Sequence, residues 1–149
     1  MEDQEQTEAE NKAVVRDFID AVFVEKDVEV ADDFLRADYH EYATGNGESF
    51  RSREEFKAGN ADFFAAFPDL SVTENGCIAE GDIVVYQHTL IGTHHGELLD
   101  AEPTGNEITL ENVGVFRIEG GKIAELYLYA DTISLLRRLG IVPEDPVAE

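Results

Sequence analysis

The sequence predicts an α+β fold in which helices are segregated from a mostly antiparallel sheet. Three observations carry this. Apolar residues recur in pairs four apart near the start; after Pro68 the spacing becomes two; and the later segments meet at Gly-Asp and Gly-Gly turns, as in hairpins. The implied order is helix, helix, strand, helix, four strands and a last helical turn. There is no internal repeat and no linker, so the 149 residues fit one domain large enough to bury a core.

Taken in order, residues 1–10 are Glu/Gln-rich with little to bury, and are expected to form a disordered acidic N-terminus. The domain is expected over 11–142, with a frayed tail at 143–149. From Asn11, Val14, Val15, Phe18, Ile19, Val22 and Phe23 predict an amphipathic helix of about four turns. Asp27 can cap a second short helix with Val28, Ala31, Phe34 and Leu35 inward. Asp38 to Thr44 reads as a strand with Tyr39, Glu41 and Ala43 on one side and His40 and Tyr42 on the other. Gly45-Asn46-Gly47 ends it.

Ser52 and Glu55 form a capping box for the next helix, which carries Phe56, Phe63, Phe64 and Phe67 and stops at Pro68. Four phenylalanines there suit either a wide core or an apolar pocket wall, core being the commoner answer. Leu70–Glu80 and Ile83–Gly92 are strands joined at Gly81-Asp82. A loop over 97–104 leads to a long hairpin, Glu107–Glu119 with Lys122–Asp131, turning at Gly120-Gly121. In its last strand Ile123, Glu125, Tyr127, Tyr129 and Asp131 share one face, and Ala124, Leu126, Leu128 and Ala130 the other. Helical spacing then returns at Ile133, Leu136 and Leu139, up to Gly140. Asp131 sits at this junction, where a carboxylate can cap the helix, be solvated or face a pocket.

The charge balance narrows the function classes. Asp plus Glu number 33 against 11 Lys plus Arg, for a net charge of −22. No basic cluster offers a footprint for nucleic acid, and an anionic membrane surface would repel the chain. Acids spread through every segment, with four lysines only, point to a halophilic archaeon with a salty cytoplasm; an ordinary acidic protein is the alternative. The lone Cys77 excludes an intrachain disulfide and reads as a buried small hydrophobe. No apolar run reaches membrane-spanning length and the start is acidic, so a cytoplasmic location is expected.

No motif compels a mechanism: neither a phosphate-cradling glycine pattern nor a nucleophile elbow occurs. The adjacent His94 and His95 point opposite ways, a poor metal pair, although dispersed His40, His88 and His94 remain an alternative. His88 falls among Val84, Tyr86 and Leu90, either as a satisfied core residue or as a site residue. Glu111 and Asn112 interrupt an apolar strand. With Tyr127, Tyr129 and Asp131 these polar groups could converge on an apolar cavity, where burial would tune the Asp131 carboxyl for proton transfer.

At these residues the chain resembles the SnoaL-like polyketide cyclases of the nuclear transport factor 2-like superfamily. The resemblance is carried by N-K-A-V-V-R-D-F-I-D-A-V at 11–22, A-A-F-P-D-L-S-V-T-E at 65–74 and A-E-G-D-I-V-V at 79–85. It continues through G-T-H-H-G-E-L at 92–98, P-T-G-N-E-I at 103–108, F-R-I-E-G-G-K-I-A-E at 116–125 and Asp131 ahead of L-L-R-R-L-G. It implies a curved sheet wrapped against three helices, a cone with an internal pocket, and a homodimer or homotetramer formed through the sheet. It also implies intramolecular aldol chemistry without metal or cofactor, with Asp131 as acid and base. The chain departs from the family pattern at Tyr42, His88 and Glu125-Leu126-Tyr127, where relatives commonly carry His, Trp and Glu-His-Trp.

The expected site therefore has Asp131 and His88 as catalytic groups, with Tyr42, His40, Tyr86, Asn112, Tyr127, Tyr129 and Phe64 around a small hydrophobic ligand. His88 or Tyr127 would hold a developing enolate oxygen. The expected activity is that of a cofactor-free lyase or isomerase, the alternative a non-catalytic binding module.

Salt tests the charge reading. Screening length falls from about 10 Å at 0.1 M to about 3 Å at 1 M ionic strength. The thermal midpoint is expected to rise, and self-association to tighten, across that KCl range. Flat melting and sedimentation profiles would remove the halophilic reading.

Overall fold

The switch from period four to period two separates the molecule into two layers. In the computed structural model, which describes residues 2–44 and 50–143, helix α1 (Glu2–Phe18) continues as a π-helical turn (Ile19–Val24) and is followed by a 3-10 turn (Glu29–Asp33). Strands β1 (Leu35–Ala43) and β2 (Arg51–Ser52) precede helix α2 (Arg53–Ala66). Strands β3 (Ser71–Glu80), β4 (Ile83–Thr93), β5 (Glu107–Glu119) and β6 (Lys122–Tyr129) follow, and helix α3 (Thr132–Arg138) comes last.

The six strands form one sheet in the order β2-β1-β6-β5-β4-β3. All neighbours are antiparallel except β1 and β6, which run parallel. Register shifts occur in three pairings, and in β1–β6 residues 36–39 of β1 stand opposite Ala124 alone. Asn75 of β3 lies between the Glu74–His88 and Gly76–Gln87 pairs, and Ala124 of β6 between Arg117–Glu125 and Ile118–Ile123. Such bulges bend a strand and increase its twist, which curls the sheet around the helices.

Aromatic packing joins the layers. The Phe18 ring lies 5.7 Å from Phe56, 5.9 Å from Phe34 and 6.2 Å from Phe116, linking α1 to α2 and to β5. Each such pair contributes about 0.5–1.5 kcal/mol beyond the area it buries. Alternate residues of the strands complete the core, among them Leu35, Val84, Ile108 and Ile123, all fully buried.

The capping box forms as its spacing requires. The Glu55 backbone N–H donates to Ser52 Oγ at 3.1 Å, and the Ser52 N–H donates to Glu55 Oε1 at 2.9 Å. Asp27 Oδ1 accepts from the Glu29 N–H at 3.1 Å, but what it starts is a single 3-10 turn, and Leu35 already belongs to β1. At the other end of the chain β6 stops at Tyr129, two residues short of the expected Asp131. Gly45-Asn46-Gly47 and the tail from 144 lie outside the described residues.

Residues 2–10, expected to be disordered, are helical instead. Glu, Gln and Ala favour helix. Gln4 and Gln6 donate to Glu8 and Glu10 one turn on, and Glu8 also accepts the Gly81 N–H at 2.8 Å, tying the helix to the β3–β4 turn. Cys77 is partly rather than fully buried, and burial pushes its thiol pKa up.

The loop after β4 docks directly on the end of α2. The backbone N–H groups of His95 and Gly96 both donate to the Ala66 carbonyl, at 2.9 and 3.1 Å. A Cβ on Gly96 would lie 2.6 Å from the Ala65 carbonyl oxygen, closer than atoms approach without displacement. Gly96→Ala is therefore expected to destabilise the fold by about 1–3 kcal/mol, the usual range for overpacking. Urea unfolding measures this, and a change below about 0.5 kcal/mol, the surface-substitution range, would contradict the close approach.

Candidate functional site

The curl of the sheet leaves a cavity of ≈ 800 Å³ between its inner face and the helices. Apolar side chains make most of the wall: Phe18, Ile19 and Phe23 from α1 and its π turn, Phe56 and Phe63 from α2, and Leu90, Leu110, Leu126 and Leu128 from the sheet. Leu135 and Leu136 of α3 add to it. Of the four α2-region phenylalanines, two thus line the cavity, while Phe64 and Phe67 are core. Phe64, expected at the ligand, packs instead on Phe23 at 5.4 Å between ring centres.

Polar groups reach this wall at few places. His88 and Asn112 are direct cross-strand partners on β4 and β5, both buried. The His88 Nδ1 has no hydrogen-bond partner among the described residues. Burial lowers its pKa, only partly offset by the Tyr86 backbone, so the ring is neutral near pH 7. Asn112 Oδ1 accepts the Asp131 backbone N–H at 2.9 Å, so what its amide can offer a ligand is the NH2 group. Tyr86 shares the inner face of β4 and stacks 5.4 Å from His88, but it is core rather than cavity wall; burial pushes its phenol up to about 12.

Asp131 is the residue before α3, yet its carboxylate makes no capping bond. Ala130 and Thr132 on either side line the cavity, whereas Asp131 itself is half-buried at the margin. Thr44 holds this corner: its hydroxyl accepts the Ala130 N–H at 2.8 Å and donates to the Ala130 carbonyl at 3.1 Å.

Four expected site residues lie on the opposite face of the sheet. Leu126 and Leu128 point inward, so Glu125, Tyr127 and Tyr129 point outward. The parallel register sets His40 beside Glu125 and Tyr42 beside Tyr127. The His40 Nε2 lies 2.6 Å from Glu125 Oε2, and the Tyr42 and Tyr127 rings are 6.1 Å apart. Polar aromatic character suggested the wrong face of β6; alternation with the leucines decides it. His40, His88 and His94 consequently occupy separate places. His94 is fully buried against Phe67, its Nδ1 bonded to Thr104, and no metal-binding cluster occurs among the described residues.

One residue on the wall was not foreseen. Glu41 of β1 is 2% exposed and borders the cavity. The Tyr39 hydroxyl donates to its Oε1 at 2.9 Å, and Arg51 Nη1 stands 3.7 Å from its Oε2. Burial pushes the Glu41 carboxyl above the ordinary range, with Arg51 and Tyr39 pulling it part of the way back. The signal was in the alternation Tyr39, Glu41, Ala43, which put a carboxylate on an otherwise buried face. Asp62, Glu97 and Asp100 stand exposed around the same cavity, where Leu99 and Asp100 form a left-handed turn with φ of 51° and 64°.

Comparison with known proteins agrees with this architecture. A candidate SnoaL-like polyketide cyclase from Jannaschia sp. CCS1 superposes with a TM-score of 0.81 at 24% identity, over 91% of this chain and 95% of that one. AclR, a candidate hydroxylase from Streptomyces galilaeus, superposes with a TM-score of 0.83 at 27% identity over 94% and 87%. IdmH, a candidate polyketide cyclase from Streptomyces antibioticus, does so with a TM-score of 0.72 at 25% identity over 87% and 98%. No curated protein matches the chain significantly. The profile of the SnoaL-like polyketide cyclases matches residues 13–139, and the chain belongs to that family.

Proposed function

We propose that this protein is a cofactor-independent lyase or isomerase that moves a proton on a small hydrophobic carbonyl compound. The observation that carries this is the cavity: a largely apolar space of ≈ 800 Å³ with His88 and Asn112 side by side on its wall. Such a space suits a ligand of a few fused or linked rings. A neutral imidazole and an amide NH2 can hold an oxygen as negative charge develops on it, and in a dry site such contacts are worth more than in water. The reaction also needs a carboxylate as acid and base. Asp131 occupies the position to which family resemblance gives that role, although its side chain stands at the cavity margin.

A second reading, a binding module that holds an apolar ligand without converting it, is favoured by that marginal Asp131 and by the outward-facing tyrosines. The two are separated with a panel of β-keto esters and polycyclic ketones. The catalytic reading expects turnover of at least one compound, reduced about 10²–10³-fold in His88→Phe, as for loss of an oxyanion donor. Ligand retained in native mass spectrometry with no conversion by wild type would support the binding module instead.

Self-association belongs to the same proposal. The outer sheet face carries Ile78 (68% exposed), Tyr129 (51%) and Phe50 (50%), beside Val85, Val113, Val115 and Ile91. Pairing two copies there would bury apolar side chains that a monomer leaves in water. Ile78→Glu is expected to shift sedimentation toward monomer while the far-UV circular dichroism stays that of the folded protein. An unchanged profile would place any interface elsewhere.

A further inference from the structure

The proton-transfer reading leaves open which carboxylate does the work, and the fold separates the candidates. Asp62, Glu97 and Asp100 stand in water, and Asp131 lies beside the cavity rather than on its wall. Glu41 alone among them is both sealed from solvent and part of the wall. Its Oε1 is held by the Tyr39 hydroxyl, and its Oε2 accepts no hydrogen bond among the described residues. Arg51 Nη1 pairs with that oxygen at 3.7 Å, beyond hydrogen-bond reach, while its Nη2 donates to the Glu55 carbonyl at 3.2 Å.

Resting on the proposed reaction, we propose that Glu41 takes the proton from the carbon next to the carbonyl of a bound hydrophobic ketone and returns it, with Tyr39 and Arg51 as positioning residues. The C–H bond breaks, its electron pair moves into the new C=C bond as the carbonyl π pair goes to oxygen, and the proton goes to Glu41 Oε2. The resulting enolate oxygen is received on the side of His88 and Asn112, and the reverse step restores the ketone. No oxidant, reductant or co-reactant is required. Desolvation makes a carboxylate a stronger base, and the nearby Arg51 keeps the ionised form accessible.

The charged and titratable groups around Glu41 are few. Tyr39 lies on its own strand and Arg51 on β2, while Asp62 of α2, His88 of β4, and Glu97 and Asp100 of the loop border the same cavity. β6 presents only Leu126, Leu128 and Ala130, and β5 the uncharged Asn112 with Leu110 and Phe116. Arg51 is thus the nearest cation, and its charge and the Tyr39 hydrogen bond both oppose the rise that burial causes.

Exchange of α-protons for deuterium in D2O, followed by proton NMR on 2-tetralone and related ketones, reads this step without knowledge of the natural substrate. Wild type is expected to exchange above buffer, and Glu41→Gln to lose about 10²-fold or more. The wild-type rate should rise with pH as Glu41 ionises, and Arg51→Leu should move that limb to higher pH, which a purely structural role would not do. Folding is checked by melting. Because the fold raises the Glu41 pKa, it favours the protonated form, and stability is lost as pH rises from the ordinary glutamate range through the raised value. Glu41→Gln should therefore melt no lower than wild type at pH 8. Exchange undiminished in Glu41→Gln would overturn this assignment while leaving the reaction class standing. Absence of exchange by wild type across the panel would overturn both.

Discussion

The parallel pairing of β1 with β6 is the constraint on which the rest of the site depends. It joins an early strand to the last one and so closes the curl around the helices. Its register sets Glu41 beside Leu126 and Ala43 beside Leu128, which brings a carboxylate onto the same wall as the leucines. The same register sends His40, Tyr42, Glu125 and Tyr127 outward together. A slip of one residue would exchange the two faces, putting the tyrosines inside and Glu41 in water. Thr44 pins the pairing at its end through both polar groups of Ala130, and the Phe34 carbonyl accepts the Ile123 N–H at 2.8 Å near its start.

Most of the fold was legible because local chemistry and global arrangement agree. The Ser52–Glu55 box, the Gly81-Asp82 and Gly120-Gly121 turns and the span of β5 all appear where their residues require. The parallel β1–β6 contact was not legible, since it joins segments about 85 residues apart and no local pattern records it. That gap explains the errors at the site. Inward-facing His88 and Asn112 were found because each interrupts an apolar face. Tyr127 and Tyr129 were drawn inward by their chemistry alone, although Leu126 and Leu128 beside them had the stronger reason to be buried. Glu41 was grouped with Tyr39 and Ala43, but the ligand was expected on the other face with His40 and Tyr42; the role proposed for Glu41 depends on Arg51 and on the cavity, both supplied by tertiary contacts.

Charge has a similar division of labour. Basic side chains sit in local pairs, Arg16 with Glu74, Arg36 with Asp38, Arg117 between Glu119 and Glu125, and Lys57 with Asp32 and Glu54. The exposed pairs among these contribute only about 0–1 kcal/mol each, so they leave the excess negative charge largely unanswered. The cavity reflects the same excess. A ligand entering it meets Asp62, Glu97 and Asp100, with Arg51 the only cation on the wall among the described residues.

The central claim is that burial raises the basicity of Glu41, against the nearby Arg51, and makes it the proton acceptor of the cavity. Its carboxyl resonance in protein labelled with ¹³C at glutamate side chains, identified by its absence in Glu41→Gln, measures this directly. The account predicts a titration midpoint above the ordinary glutamate range and a resonance that moves when 2-tetralone is added. A midpoint in the ordinary range, with no response to the ketone, would contradict it.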